Sequence, residues 1–390
     1  MNSKNNIPQL RFPGFSGEWE EKRMGDITDN VYQPQTISKE QFTNGGFPVY
    51  GANGVIGFFD KYNHETDQIL VTCRGASCGT INFSKGKCWI TGNAMVVNLD
   101  NVENQYNKNF IYYLLENSDL NSIITGSGQP QIVRGPLLSF SIYTPPTFSE
   151  QKKIALFLSE FDSLIAAQGE KVDALKEKKK GMMQQMFPQK GETTPRLRFP
   201  GFTGEWDYVD GDELFEAISN KNHNSDLPIL ALTQDQGAVP RDMINYNVIV
   251  SDKSVAGYKV VEVDDFIISL RSFQGGIEYS RYKGLCSPAY IVLRKKSKEL
   301  CSDFYRIYFK SFNYIQDLNK NLEGIRDGKM ISYKQFSEIK LPKPSPSEQQ
   351  KIAECLSAMD DMIASESAKL DALKDHKKGL MQQLFPQPNK

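Results

Sequence analysis

Two arginines stand at matching positions in the two halves of this 390-residue sequence, and their chemistry suits contact with nucleic acid. Arg74 ends the apolar run Asp67–Cys73, and Arg271 ends the run Asp264–Leu270. Each run is typical of a buried strand. A guanidinium at a strand end, beside a glycine-containing turn, can bind guanine or a phosphate through two hydrogen bonds. A surface salt bridge is the alternative for either arginine taken alone.

A polar, glycine-rich loop near the end of each predicted globular unit offers further candidates for DNA contact. Glutamine amides can bond the N6/N7 edge of adenine, and glycine lets the backbone approach a duplex closely. The candidates in the first loop are Gln129, Gln131 and Arg134, and those in the corresponding region of the second half are Arg326, Lys329, Tyr333 and Lys334.

Basic residues follow the second predicted strand of each unit and suit phosphate contacts better than base reading. They are Lys85, Lys87, Arg281 and Lys283. For each of these side chains a solvated turn is the alternative. The early turn around Asn53-Gly54 could place Tyr50 and Asn53 against DNA, but Asn-Gly predicts a plain hairpin.

Motifs for catalysis are missing from the sequence. It contains no GxGxxG after a strand and no GxxxxGK[ST]; the stretch Gly324–Lys329 is one residue short of the second motif. It also lacks the Asn/Asp-Pro-Pro-aromatic tetrapeptide expected of an amino-methylating enzyme. The six cysteines form no CxxC pair, which predicts reduced thiols in the cytoplasm and no zinc site. We therefore expect a binding protein without its own cofactor or metal.

Bulk composition limits the possible partners. The sequence carries 46 Lys and Arg against 47 Asp and Glu, so any phosphate contact must come from local clusters. No apolar stretch approaches the length of a membrane helix, and the first ten residues lack the apolar core of a signal peptide.

The elements that position these residues are dominated by one stretch that occurs twice, at 149–189 and 347–387. The copies align without a gap, and roughly 25 of about 41 positions are identical. Apolar residues recur at steps of three and four, which predicts a long helix with a coiled-coil seam. The seam residues are Ile154, Leu158, Phe161, Ile165, Val172 and Leu175 in the first copy and Ile352, Leu356, Met359, Ile363, Leu370 and Leu373 in the second.

One polar residue interrupts the seam at the same place in both copies, Gln168 and Glu366. Since a polar residue on a seam can fix the register, we expect the helices to pair with each other in opposite directions. The alternative is that each helix packs only on its own globular unit. Ser149 and Ser347 are the predicted N-caps, and Phe-Pro closes each copy. About 35 helical residues would form a rod of roughly 50 Å.

A turn-rich segment opens each half: the first clasp, residues 10–19, returns as the second clasp, residues 197–206. Two mixed α/β units follow, with shared strands and different loops. In each unit a second strand is predicted from Ile81 or Ile277 and a third at Ala94–Val97 or Ala289–Val292. An amphipathic helix is then predicted from Phe110 onwards in the first unit and over Phe304–Phe312 in the second. We therefore predict a first globular domain at 1–148, a helix and linker at 149–192, a second globular domain at 193–346 and a second helix at 347–390. The fold class is α/β (mixed α+β) with pseudo-two-fold symmetry.

This arrangement resembles the specificity subunit of a type I restriction-modification system. The resemblance rests on the helices that begin Ser-Glu-Gln-x-Lys-Ile-Ala and end Gln-Gln-x-Phe-Pro, and on the repeated clasp Leu-Arg-Phe-Pro-Gly-Phe. It implies two target recognition domains, each reading half of a bipartite, asymmetric site in double-stranded DNA. The paired helices would set the spacer, since two domains on one face of a duplex need centres roughly 34 Å apart.

The resemblance also implies partners: two methyltransferase subunits, and motor-nuclease subunits that complete the restriction complex. S-adenosylmethionine, ATP and magnesium would belong to those partners. Two other hypotheses stay open at this stage. One is a self-contained nuclease or methyltransferase with duplicated domains, and the other is a coiled-coil adaptor with no role on DNA.

Overall fold

The computed structural model describes residues 6–126, 128–224, 226–244, 255–320 and 331–386. The chain divides into two compact units. The first unit combines Met1–Glu170 with Ala368–Lys390, and the second unit is Lys171–Ser367. Each unit therefore holds one globular α/β part together with a segment of each of two long helices.

The first unit is built around β-sheets. Its strands are β1 Glu20–Arg23, β2 Val31–Tyr32, β3 Phe47–Gly51, β4 Gly54–Phe59, β5 Ile69–Thr72, β6 Ile81–Phe83, β7 Trp89–Ile90, β8 Ala94–Val97 and β9 Ser141–Thr144. Four of them form an antiparallel sheet in the order β2-β8-β5-β6. Beside it, β4-β3-β7 form a three-stranded sheet, and β1 pairs with β9. The three predicted strands are confirmed as β5, β6 and β8, and the hairpin predicted at Asn53-Gly54 is confirmed between β3 and β4.

The first unit also contains short helices and the start of the first long helix. The α-helices are Met24–Ile27, Lys108–Glu116, Arg134–Leu138 and the first long helix, Phe148–Met186. The 3-10 helices are Lys39–Gln41, Asp100–Val102 and Leu120–Ile123. The helix predicted from Phe110 onwards is confirmed as Lys108–Glu116, capped by the side chain of Asn107 on the amide of Phe110.

The second unit repeats the frame of the first. Its strands are β10 Asp207–Asp210, β11 Phe215–Ile218, β12 Leu230–Thr233, β13 Gly237–Pro240, β14 Lys259–Val261, β15 Phe266–Ile268, β16 Glu278–Tyr279, β17 Gly284–Cys286, β18 Ile291–Lys295 and β19 Lys340–Lys343. The four-stranded sheet has the order β11-β18-β15-β16, and the antiparallel pair β10-β19 corresponds to β1-β9. The remaining pairs, β12-β13 and β14-β17, differ from the three-stranded sheet β4-β3-β7 of the first unit.

One predicted helix of the second unit is wrong in extent. The sequence predicts a single helix over Phe304–Phe312, whereas the structure ends a helix at Tyr308 and begins another at Phe312. The hydroxyl of Ser311 accepts a hydrogen bond from the amide of Tyr314, which gives the new helix its N-terminal cap. The helices are Gly211–Leu214, Ser272–Gly275, Ser302–Tyr308, Phe312–Lys320, Tyr333–Ser337 and the second long helix, Pro346–Leu384, with a 3-10 turn at Arg241–Met243.

The N-caps predicted for the long helices are also wrong. The first long helix begins before Ser149, and the hydroxyl of Thr147 accepts from the amide of Glu150. The second long helix begins at Pro346, and Ser345 accepts from the amide of Glu348. Proline is favourable at the first helical position because its missing N–H has no partner there.

The long helices pair antiparallel within each unit, as the seam predicts. In the first unit Asp162 lies 2.7 Å from Lys377, and in the second unit Lys171 lies 3.1 Å from Glu366. All the predicted seam residues are buried or half-buried. The polar seam residue Glu366 is thus held by a cation from the facing helix, which fixes the register as expected.

The repeated Ser-Glu-Gln sequence at the start of each long helix ties three parts of a unit together. Glu150, which is only 1% exposed, receives two hydrogen bonds of 2.8 Å from Arg11 of the first clasp. Its neighbour Gln151 accepts from the backbone amide of Asn107, at the start of the globular helix. Their counterparts repeat this in the second unit: Glu348 binds Arg198, and Gln349 binds the amide of Cys301. The hydrogen bonds that Arg198 donates to the carboxylate of Glu348 raise the pKa of Arg198.

Each core is closed by a clasp tryptophan and by the phenylalanine that follows a long helix. In the first unit Trp19 packs against Phe110 and against Phe385, which follows the second long helix. In the second unit Trp206 packs against Phe304, which also contacts Phe187, the residue after the first long helix. The clasp therefore has a structural role in each unit. Among the described residues, no helix is long and apolar enough to cross a membrane.

Candidate nucleic-acid interface

Arg74 and Gln131 lie directly opposite each other in an antiparallel bridge of the first unit. The flanking hydrogen bonds run from the amide of Gly75 to Pro130 and from the amide of Ile132 to Cys73. This pattern makes Arg74 and Gln131 a non-hydrogen-bonded pair, whose side chains leave the same face with Cβ atoms about 4.5–5.5 Å apart. The structure thus brings together two residues that the sequence predicts separately.

The loop that carries Gln131 is closed by its own backbone. Thr125 and Gln131 exchange two amide-to-carbonyl hydrogen bonds of 2.8 Å. Gly126 has φ +94°, and a Cβ there would collide with the carbonyl oxygen of Gln129. Only glycine fits this turn. Gln129 and Gln131 are exposed, so the loop presents both amides on a closed, tightly turned backbone.

Arg134 has a structural role that the sequence does not reveal. Its Nε donates to the carbonyl of Val31 at 2.8 Å, and its Nη2 donates to the carbonyl of Asp29 at 2.7 Å. The guanidinium therefore joins its helix to the start of β2 and has less capacity left for DNA. A base contact by Arg134 stays a prediction.

A cleft of about 420 Å³ lies beside the Arg74–Gln131 pair. Residues lining it include Tyr32, Gln33, Arg74, Met95, Gln131 and Arg134. Gln33 is a polar residue that sequence reasoning missed. Its amide nitrogen donates to the buried thiol of Cys73 at 2.9 Å, which positions the side chain at the cleft. Gln33 stands just before a loop, where the sequence has no periodic pattern that could have identified it.

The two lysines predicted as phosphate anchors extend over aromatic rings. Lys85 lies 4.8 Å from the ring centroid of Phe83, and Lys87 lies 4.8 Å from that of Tyr62. Lys85 is 74% exposed and its ammonium is 3.8 Å from Asp67. Both lie between β6 and β7, a short strand that the sequence did not predict. Tyr50 is buried and its hydroxyl accepts from the amide of Lys85, so it belongs to the core.

The predicted residues of the second unit are spread more widely. Arg271 is exposed and precedes the helix Ser272–Gly275. Lys283 pairs with Glu262 at 3.0 Å, and the Tyr333 hydroxyl donates to the carbonyl of Phe215 at 3.0 Å. Tyr333 thus has an internal role. Lys334 is exposed, and Arg326 and Lys329 lie outside the described residues.

Arg281 lines a larger cavity of about 930 Å³ in the second unit. The same cavity is lined by Gln234 and by Glu278, whose carboxylate is 2.7 Å from the ammonium of Lys310. Burial raises the pKa of Glu278, and Lys310 opposes that shift. The cavity is lined by charges of both signs, so it suits a phosphate less well than an open basic surface does.

No group of three or more His, Cys, Asp or Glu side chains that could hold a metal ion occurs in the part of the chain that the structure describes. The interface can offer hydrogen bonds and positive charge to a ligand. Its arginine and glutamine side chains match the edges of guanine and adenine.

Comparison with known proteins identifies the family. The family model for the type I restriction modification DNA specificity domain matches residues 16–177 and again residues 204–375. The chain belongs to this family and contains two copies of its domain.

Individual relatives agree with that assignment. The type I restriction enzyme MjaVIII specificity subunit of Methanocaldococcus jannaschii is 24% identical over 400 residues, covering 94% of this chain and 92% of that protein. A protein of the same organism described as the MjaX specificity subunit is 28% identical over 270 residues. That match covers 66% of this chain and 61% of the relative.

A solved structure shows the same fold. The crystal structure of a type I restriction-modification system S subunit from M. genitalium covers 98% of this chain and is itself covered completely, with a TM-score of 0.63 and 18% identity. The mixed α/β architecture with two repeated domains and paired long helices is therefore that of this class.

Proposed function

We propose that the chain is the non-catalytic DNA-recognition subunit of a type I restriction-modification complex. Each unit reads one half of a bipartite, asymmetric site in double-stranded DNA. The observation that carries this proposal is the duplication with divergence. The two units share one clasp, the order of the four-stranded sheet and the strand pair next to the long helix, while the remaining strands differ between them. Two readers of this kind, each with its own loops, suit a site with two unlike halves.

The proposed partners are two methyltransferase subunits and motor-nuclease subunits of the same complex, which places the chain in the cytoplasm. The methyltransferase subunits dock on the exposed sides of the long helices. Leu156 and Leu164 of the first long helix and Met362 of the second are each at least half exposed. Exposed apolar side chains on a helix suit burial against another protein. S-adenosylmethionine, ATP and magnesium are the cofactors of those partner subunits.

A domain exchange tests the proposal. Residues 207–346 are replaced by the matching segment of another family member, and the modified adenines of a strain carrying the chimaera are mapped by single-molecule sequencing. The half-site of the second unit should change while the other half-site and the spacer stay the same. An unchanged motif would contradict the proposal. The matched control is the same exchange in residues 20–148, which should alter only the other half-site.

Two alternatives make different predictions for the purified chain. A self-contained nuclease or methyltransferase would act on DNA without partners, given magnesium or S-adenosylmethionine. An adaptor without a role on DNA would leave the assembled complex unable to distinguish sequences. We expect neither outcome.

A further inference from the structure

The Arg74–Gln131 pair has the geometry of a two-base reader. Both side chains are exposed, and neither the guanidinium nor the amide makes a hydrogen bond to the described residues. They leave one face as a non-hydrogen-bonded pair, with Cβ atoms about 4.5–5.5 Å apart. Successive base pairs along a strand are separated by about 3.4 Å. Two side chains at this separation can therefore reach neighbouring base pairs.

The backbone beneath the pair is held in place by hydrogen bonds on both sides. The strand end at Cys73 and Gly75 is bonded to Ile132 and Pro130, and the loop is closed between Thr125 and Gln131. The thiol of Cys73 also accepts from Gln33, so the strand end is fixed on its other side. A base reader needs such support because its hydrogen bonds must meet base edges with defined geometry.

The chemistry of the two side chains points to particular bases. The planar guanidinium fork matches the O6 and N7 acceptors of guanine, and the glutamine amide matches N6 and N7 of adenine. Lysines better suited to phosphate, Lys85 and Lys87, are already present on a separate turn of the same unit.

We propose that Arg74 and Gln131 read two neighbouring base pairs in the half-site of the first unit, Arg74 a guanine and Gln131 an adenine. This inference rests on the proposed function. It adds which residues fix the sequence of one half-site and which bases they select.

The experiment uses the full-length chain expressed with its methyltransferase subunits. Single-molecule sequencing of modified adenines first gives the motif of the wild-type complex. The variants R74A, R74K and Q131A are then mapped in the same way, with R271A of the second unit as the matched control. R74A and R74K should relax one guanine, and Q131A should relax the adjacent adenine, with discrimination falling about 5–150-fold at that position. R271A should leave these two positions unchanged.

A second arm tests the guanine contact directly. Fluorescence anisotropy compares binding to a duplex with guanine and to one with 7-deazaguanine at that position, which removes the N7 acceptor. The wild-type complex should bind the modified duplex more weakly, whereas R74A should bind both equally.

The opposite results are equally clear. If R74A keeps the wild-type motif, or weakens binding to every sequence alike, Arg74 does not read a base and the inference is wrong. Retention of the second half-site in R74A would show that the variant is folded. A wild-type complex without any sequence preference would instead overturn the proposed function, and the inference with it.

Discussion

Asp162 of the first long helix and Lys377 of the second lie 2.7 Å apart in the first unit, and their repeat counterparts form the same pair in the second. Asp360 and Lys179 are the counterparts, each displaced by the 198-residue repeat. A globular side chain joins each pair: Tyr113 donates to Asp162 at 2.7 Å, and Arg306 lies near Asp360. In each unit, therefore, one aspartate of a long helix contacts both the other long helix and the globular part.

The two junctions differ in how well they tolerate loss of the lysine. Replacing Lys377 with Met keeps the aliphatic stem but leaves Asp162 with Tyr113 alone. The 12% exposure of Lys377 puts the pair between a surface and a buried salt bridge. We expect a loss of about 1–3 kcal/mol in unfolding free energy. Lys179→Met leaves Asp360 with Arg306, and should cost about 1 kcal/mol or less. Urea titrations followed by circular dichroism compare the variants, and equal losses would contradict this account.

The clasp salt bridge should matter more than any surface pair. Replacing Arg11 with Ala leaves the buried carboxylate of Glu150 without its cation, and we expect a loss of about 3–5 kcal/mol. R198A should behave alike, because Glu348 is only 3% exposed. The control is R196A, because the side chain of Arg196 is 65% exposed and its partner Glu192 lies only four residues away in sequence. Its expected cost is below about 1 kcal/mol. Thermal melts give the order, and a clasp variant as stable as R196A would refute it.

We expect the first unit to lose stability in mild acid because the imidazole of His64 is buried. Its ring nitrogens are hydrogen-bonded to the hydroxyl of Tyr32 at 2.8 Å and to Asn63 at 2.6 Å. Burial lowers the pKa of His64, and Asp100 opposes that effect only in part. A histidine whose folded pKa is lowered stabilises the protein above its ordinary pKa of about 6.5, and that contribution is lost as the pH falls through the lowered value.

The measurement is unfolding free energy between about pH 7.5 and pH 5, where most carboxylates stay ionised. Wild type should lose stability as the pH falls below about 6.5, and H64Q should show a flatter profile. H376Q is the matched control, since His376 is exposed on the second long helix. A wild-type profile as flat as that of H64Q would show that His64 is not the cause.

Sequence reasoning succeeded where a signal is local. The apolar runs of β5, β6 and β8 and the seam of the long helices follow from periodicity within a few turns or residues. It failed where the partner is distant in sequence. Arg11 and Glu150 are 139 residues apart, and the use of Arg134 on the carbonyls of Asp29 and Val31 depends on a fold that no local pattern encodes. The Arg74–Gln131 bridge was invisible for the same reason, although both residues were candidates.

The length of the paired helices should set the number of unspecified bases between the two half-sites. Both helices contribute residues to both units, so we expect added helix to alter the spacer. Seven residues inserted after Gly169 and seven after Ala368 keep the seam facing its partner, because seven residues are almost two turns. The insertion adds about 10.5 Å of helix, which corresponds to about three base pairs at a rise of about 3.4 Å.

Sequencing of modified adenines should then show both half-sites unchanged and the spacer longer by about three base pairs. The control is the same insertion in the first long helix only. It puts Glu366 and Lys171 out of register, and should lower stability without giving a new spacer. If the double insertion yields a stable complex with the original spacer, the length of the helices does not determine the spacer.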